Sequence, residues 1–99
     1  AWAASSYSRN AYDPSQGAKD THALGQFFNG RFGKPKRTYI TGASMGGHVT
    51  AIVAEQWPKS YAGAMPICGV LGDYELFDFF LDFNVAAQTL SGVGKTYPY

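Results

Sequence analysis

A glycine-rich turn between a β-branched run and a helical pattern constrains the fold of this chain more than any other feature. Residues 38–41 are β-branched or aromatic and predict a strand. Residues 42–47 form the turn and contain a G-x-S-x-G pattern centred on Ser44. Apolar residues at helical spacing follow, and Trp57 and Pro58 predict the end of that helix, because proline disfavours helix at the residue before it. The pattern indicates a strand–turn–helix unit.

Apolar and helical stretches on both sides of this unit predict a parallel sheet. Residues 1–7 are short and mostly apolar, and they are consistent with the end of a buried strand, with an irregular lead-in as the alternative that length alone does not exclude. Asp13 as N-cap and Pro14 at the first helical position predict a helix that runs to Phe32. Residues 62–70 are a further apolar stretch and predict a strand. Buried strands joined by helices indicate an α/β fold with a parallel sheet.

The segment after Gly72 has a different character. Residues 73–90 are helical in period, unusually aromatic, and hold four of the chain's seven acidic residues. The aromatic residues are Tyr74, Phe77, Phe79, Phe80 and Phe83. This composition is more typical of a lid or a partner-facing helix than of another strand–helix unit.

The G-x-S-x-G pattern carries the chemistry that the sequence predicts. A serine nucleophile on a sharp strand-to-helix turn needs small residues two positions before and after it, which Gly42 and Gly46 supply. Gly47 lets the helix approach the sheet, and the backbone N–H of Met45 is a candidate oxyanion donor at the start of that helix. The alternative is an ordinary glycine-rich turn, but the strand before Ser44 and the helix after it favour a nucleophile elbow.

The stretch from Thr38 to His48 resembles the nucleophile strand, elbow and helix of the α/β-hydrolase family, in its esterase, lipase-like or peptidase-like members. The helix starting at Asp13 resembles the preceding helix of that fold, and residues 62–70 resemble the following strand. The resemblance implies a three-layer sandwich around a parallel sheet, of which this chain is the central portion. Residues 1–72 would form a partial hydrolase core, and residues 73–99 the start of a helical cap.

The resemblance also implies a mechanism. Ser44 would be the nucleophile of a Ser–His–acid triad that forms an acyl-enzyme, most simply on a carboxylic ester. The family's chain order is serine, acid, histidine, and no histidine follows His48, so the base and the acid are expected outside this chain. Asp73 is a candidate acid within it, with an N-cap as the alternative. We expect His48 to bond a neighbouring element and His22 to be solvated.

Other functions stay open at this point. The chain could be a catalytically incomplete fragment or a non-catalytic interaction module of the same fold, or a peptidase or acyltransferase with the same elbow. The expected partners are a small-molecule ester or acyl substrate, and through open sheet edges either a second copy of the chain or the remaining parts of its own fold. No cofactor or metal is expected, and the sequence does not indicate a compartment.

Charge and cysteine content exclude several classes of protein. Eight basic against seven acidic residues give a net charge of +1, which argues against a nucleic-acid binder. The basic cluster is interpreted as a solvated connector and comprises Arg31, Lys34, Lys36 and Arg37. No apolar run is long enough to predict a membrane span. The single cysteine, Cys68, excludes an internal disulfide framework and is predicted to be buried.

A possible phosphate-binding pattern near residue 94 is rejected. Gly94, Lys95 and Thr96 resemble the end of a P-loop, but the earlier glycine that the motif requires is replaced by Thr89. No predicted strand precedes this segment and no predicted helix follows it. The sequence therefore gives no support for a phosphate cradle there.

Overall fold

Two strands and three helices follow one another in a computed structural model that describes residues 1–92. The elements are α1 (Pro14–Phe32), β1 (Tyr39–Ala43), α2 (Met45–Gln56), β2 (Gly63–Ile67) and α3 (Asp73–Ser91). This order confirms the predicted alternation of helix and strand from α1 onward. The rejected P-loop segment, residues 94–96, lies outside the described residues, as does the end of the predicted cap segment.

The two strands are parallel and are connected through α2. Tyr39 pairs with Gly63 at the start of the register, and Ala43 pairs with Ile67 at its end. Pro66 lies within β2 without breaking the ladder. Because successive residues of a strand point their backbone groups in opposite directions, its nitrogen faces away from β1.

The core lies between the helices and β1. Helices α1 and α2 pack against each other, and α2 packs on both strands. Four buried apolar side chains form the centre of this core: Ala18, Ile40, Val49 and Val53. Thr50 is buried beside them, and its hydroxyl donates to the carbonyl oxygen of Gly46 at 2.8 Å. The described elements thus supply the sheet and one flanking helical layer of the expected sandwich.

Helices α1 and α2 run in the same direction, as two side-chain pairs between them show. Tyr12, just before α1, bonds His48 in the first turn of α2, and His22 in α1 stacks on Trp57 at the end of α2. The two rings of the stack are nearly parallel, with centroids 4.2 Å apart and an interplanar angle of 5°. The prediction of a solvated His22 is therefore wrong: it is half-buried against an indole.

The predicted strand at residues 1–7 is also wrong. The segment has no regular secondary structure, and Tyr7 has a left-handed backbone with φ 54°. Its amide donates to the Ser5 hydroxyl at 3.2 Å instead of to a neighbouring strand. A strand needs a paired ladder, and among the described residues β1 pairs only with β2.

Strand β2 is shorter than the predicted range of 62–70, and Cys68 lies beyond its end. Cys68 has φ 47°, which ends the extended backbone, and its side chain is exposed rather than buried as predicted. Most of β2 is exposed as well, because in residues 1–92 its second edge has no neighbouring strand. The cysteine therefore has no layer above it to bury it.

Helix α3 begins and ends close to the predicted residues but is not capped as expected. Its N-cap is Gly72, and Asp73 is its first residue, with no side-chain capping bond. None of its residues is buried, and it packs on none of the other four elements. Within residues 1–92 no helix has both the length and the apolarity needed to cross a membrane.

Candidate active site

Ser44 occupies the turn between β1 and α2 in an unusual backbone conformation. Its φ is 54° and its ψ is −121°, a combination that costs a non-glycine residue about 1–3 kcal/mol. Its amide donates to the carbonyl oxygen of Ile67 at 2.9 Å, so the serine is still attached to the sheet. The residue is exposed. The turn therefore presents the side chain at the carboxyl edge of both strands, where parallel α/β sheets bind their ligands.

Glycines on both sides of Ser44 allow this turn. A Cβ at Gly42 would collide with the Gly46 carbonyl, whose carbon would be 2.6 Å away. A Cβ at Gly47 would lie 2.7 Å from the carbonyl oxygen of Ile67 and 2.8 Å from Cα of Gly69. These neighbours are backbone atoms that cannot swing aside as a side chain could. The first turn of α2 thus lies directly against the end of β2.

The N-terminus of α2 is available to an anion. Ser44 is the N-cap, but its hydroxyl makes no capping bond, and the first turn of the helix contains no acidic residue. The amides of Gly47 and His48 donate to the Ser44 carbonyl oxygen, at 2.9 and 3.2 Å. Met45 is the first helical residue, so its N–H has no intrahelical acceptor. The site combines a hydroxyl with no bond to its own helix and the positive end of a helix dipole.

Neither histidine of the chain bonds to Ser44. Nδ1 of His48 is 2.7 Å from the hydroxyl of Tyr12, which matches the expected bond to a neighbouring element. His22 lies towards the opposite end of α2, with its ring nitrogens 3.2 Å from Nε2 of Gln26 and 3.4 Å from the hydroxyl of Tyr61. The described residues therefore do not assemble a serine–histidine pair.

Asp73 lies near Tyr12 rather than in a triad with either histidine. Burial raises the pKa of the Tyr12 phenol above its usual value, and the negative charge of Asp73 raises it further. Asp73 has φ 46° at the start of α3. The Asp73 carboxylate makes no bond to an imidazole among residues 1–92.

One cavity of the described part of the chain lies next to the turn, with Gly42 and Gly46 among its lining residues. Its volume is about 560 Å³, and it is lined by the irregular N-terminal segment, α1 and β1, including Tyr7, Leu24 and Phe28. Ser44 is not among the lining residues. In the same residues no group of three His, Cys, Asp or Glu side chains is arranged to hold a metal ion.

Sequence reasoning missed two residues of this site. Gly69 faces Gly47 so closely that a Cβ on it would lie 2.9 Å from the Gly47 carbonyl carbon. A glycine near the end of the predicted apolar strand at residues 62–70 was a usable signal, because glycine within a strand often marks a close backbone approach. Tyr12 bonds His48 from 36 residues away in sequence, and no local pattern indicates that contact.

Comparison with known proteins identifies the family. Searches of curated proteins and of solved structures returned no significant match. Residues 12–91, which include every element from α1 to α3, match the model of the prolyl oligopeptidase family, an α/β-hydrolase family of serine hydrolases. This match covers most of the chain and confirms both the predicted hydrolase resemblance and the partial α/β-hydrolase fold. The chain belongs to the prolyl oligopeptidase family.

Proposed function

We propose that Ser44 is the nucleophile of a serine hydrolase that cleaves peptide bonds through an acyl-enzyme. The observation that carries this proposal is the conformation of Ser44: a strained backbone, an exposed side chain and no capping bond at the start of α2. A serine kept in such a conformation by close backbone contacts is typical of a nucleophile elbow. In the reaction Oγ attacks the substrate carbonyl and loses its proton to a base, the peptide C–N bond breaks as the base protonates the leaving amine, and water then hydrolyses the acyl-serine ester to a carboxylic acid and free Ser44.

The backbone N–H of Met45 is the proposed oxyanion donor within this chain. It is the first amide of α2, and the partial positive charge of the helix N-terminus favours a developing negative charge there. Gly42, Gly46 and Gly47 allow the close packing that places this amide beside Ser44. A second donor would come from a segment outside the described residues.

The general base of this reaction is proposed to be a histidine outside this chain. His48 is engaged by Tyr12 and His22 is stacked on Trp57, which leaves neither imidazole in a position to take the Ser44 proton. Asp73 stays our candidate for the triad acid, because it follows β2, the strand after the elbow. Replacement of an acid that orients a catalytic histidine typically lowers kcat by about 10⁴-fold, so Asp73→Asn tests the assignment.

Peptides are proposed as the substrate class ahead of the carboxylic esters first expected. The family match favours a peptidase. The aromatic residues of α3 keep esters with an apolar acyl or alkyl group as the second candidate. The two classes differ in chemistry, because an amide leaving group must be protonated as it departs and an activated ester leaving group need not be.

Turnover of matched substrates by the full-length protein tests this proposal. A peptide anilide and a nitrophenyl ester of the same acyl group would be compared, with Ser44→Ala as the test variant and Ser60→Ala, at an exposed turn serine, as its control. Ser44-dependent cleavage of both substrates supports the peptidase, and cleavage of the ester alone supports the esterase. Transfer to an added alcohol in preference to water would indicate an acyltransferase. Absence of Ser44-dependent turnover would support the non-catalytic module.

A further inference from the structure

Helix α3 contacts the segment before α1 through an aromatic side chain. The ring of Phe77 meets the ring of Tyr12 edge-on, with centroids 5.5 Å apart and an interplanar angle of 89°. All side-chain hydrogen bonds of α3 in residues 1–92 stay within the helix. Because α3 packs on no other element, this ring pair and the short loop before Asp73 set its direction.

Contacts on two sides fix the position of Tyr12: the capped start of α1 next to it in the chain, and a bond to its hydroxyl. It precedes Asp13, the N-cap of α1, whose carboxylate accepts from the Gln16 amide at 3.0 Å. Its hydroxyl is 2.7 Å from Nδ1 of His48, one helical turn after Ser44. The His48 amide in turn donates to the Ser44 carbonyl oxygen at 3.2 Å. Tyr12 therefore connects α3 to the turn that carries the nucleophile.

Because Tyr12 bonds the helix that Ser44 caps, its contact with α3 bears on how a substrate binds. Tyr12, just before α1, contacts His48 in the first turn of α2 and Phe77 in the second turn of α3. Ser44 is the N-cap of α2, at the carboxyl edge of β1 and β2. A substrate that places its carbonyl at Ser44 must extend its acyl group along this edge.

We propose that Tyr12 is a positioning residue that ties the first turns of α3 to the first turn of α2, the helix that Ser44 caps, and so forms one wall of the acyl-binding site. The hydroxyl on His48 sets the orientation of the tyrosine ring, and the ring sets the position of Phe77. Selection for large acyl groups then depends on Tyr12, although this residue touches no reacting atom. This inference rests on Ser44 being the nucleophile.

Three variants separate the parts of this arrangement. Tyr12→Phe keeps the ring and removes the bond to His48, Tyr12→Ala removes both, and Phe77→Ala breaks the ring pair from the side of α3. Tyr39→Phe is the matched control, because Tyr39 is 66% exposed and lies at the opposite end of β1 from Ser44. Phe77→Ala keeps the test available if loss of the tyrosine ring prevents folding.

Two readouts on the full-length protein test the proposal. The first is the distance distribution between spin labels at Glu55 on α2 and Asp82 on α3, in a Cys68→Ser background. It should be narrow in the parent and in Tyr39→Phe, and broad in Tyr12→Ala and Phe77→Ala. The second is kinetic: KM for an aromatic acyl substrate should rise several-fold more than KM for an acetyl substrate in these two variants, while Tyr39→Phe should change neither.

The possible results are distinguishable. An unchanged distance distribution in Tyr12→Ala and Phe77→Ala would overturn the inference whatever the kinetics. A broadened distribution with equal effects on both substrates would overturn the role in acyl selection. Absence of any Ser44-dependent turnover, with the distribution still broadened, would refute the proposed nucleophile and with it the acyl wall, while the tie between α3 and α2 would be established by itself.

Discussion

The backbone amide of Ser44 donates to the carbonyl oxygen of Ile67 at 2.9 Å, one residue beyond the last paired position of β1. The serine is thus still part of the sheet's hydrogen bonding when the chain turns into α2. This bond holds the turn against the end of the sheet, and the close backbone contacts of Gly42 and Gly47 hold the first turn of α2 in place. The strained φ of Ser44 persists because the structure on both sides holds it.

Gly42→Ala should lower the free energy of unfolding by about 1–3 kcal/mol, the usual range for overpacking. The added methyl group would meet the carbonyl of Gly46, which belongs to the backbone and cannot rotate away. Urea unfolding measures the change. Gly30→Ala is the control, because it lies inside α1 with no atom within 4 Å of the new Cβ, and it should stabilise the protein by about 0.5–1 kcal/mol. Equal effects of the two substitutions would contradict the close packing of the turn.

Alkylation of Cys68 should slow acylation of Ser44 by about tenfold or more. Cys68 is exposed and directly follows Ile67, while Ser44 follows Ala43, the residue that pairs with Ile67. The thiol and the hydroxyl are therefore on neighbouring strand ends. N-ethylmaleimide treatment before a phosphonate probe measures the effect, and Cys68→Ser should be insensitive to the reagent. Full labelling after complete alkylation would show that the two side chains point away from each other.

Asp20 should contribute stability that is lost in acid. Its carboxylate accepts from the Ser8 amide at 2.7 Å, the Ser8 hydroxyl at 2.8 Å and the Gln16 side chain at 2.9 Å, and these bonds lower its pKa. A carboxyl whose pKa is lower in the folded state stabilises the fold above its unfolded pKa of about 3.9, and this contribution disappears as pH falls through the lowered value.

The free energy of unfolding of Asp20→Asn should therefore be below that of the wild type near neutral pH, and the two should converge as pH falls below about 4. Urea unfolding at several pH values measures the difference. Asp82→Asn, on the exposed surface of α3, controls for the loss of a carboxylate. A gap between the Asp20 variant and the wild type that stays constant down to about pH 2 would refute the role of these hydrogen bonds.

The stacked pair of His22 and Trp57 should couple the two helices by about 0.5–1.5 kcal/mol. The rings lie 4.2 Å apart at 5° and join the middle of α1 to the end of α2. A double-mutant cycle with His22→Ala and Trp57→Ala isolates this coupling from the burial that each residue loses. Additive effects of the two substitutions would show that the stack contributes nothing beyond that burial.

Local patterns were enough to predict the strand–turn–helix unit around Ser44. Three signals predicted it: the strand propensity of residues 38–41, the glycines of the turn, and Trp57–Pro58 at the end of α2. Each of these signals spans only a few residues. The same holds for the start of α1, where Asp13 caps the helix as predicted. Much of the fold and the position of the candidate nucleophile could therefore be predicted from the sequence alone.

Contacts between residues far apart in the sequence could not be predicted in this way. The segment that includes Tyr7 is apolar enough for a strand, but a strand also needs a neighbour, and no local pattern supplies that information. Cys68 was predicted to be buried because its stretch is apolar, yet burial depends on whether another layer covers it. The bond between Tyr12 and His48 arises only because two helices pack in parallel.

The identity of the residue that a fluorophosphonate modifies tests the central claim most directly. The full-length protein would be labelled and digested, and the adduct located by mass spectrometry. The account predicts one adduct, on the peptide that contains Ser44, absent in Ser44→Ala and retained in Ser60→Ala. An adduct on another serine, or equal labelling of Ser44→Ala, would contradict the assignment of Ser44 as the nucleophile.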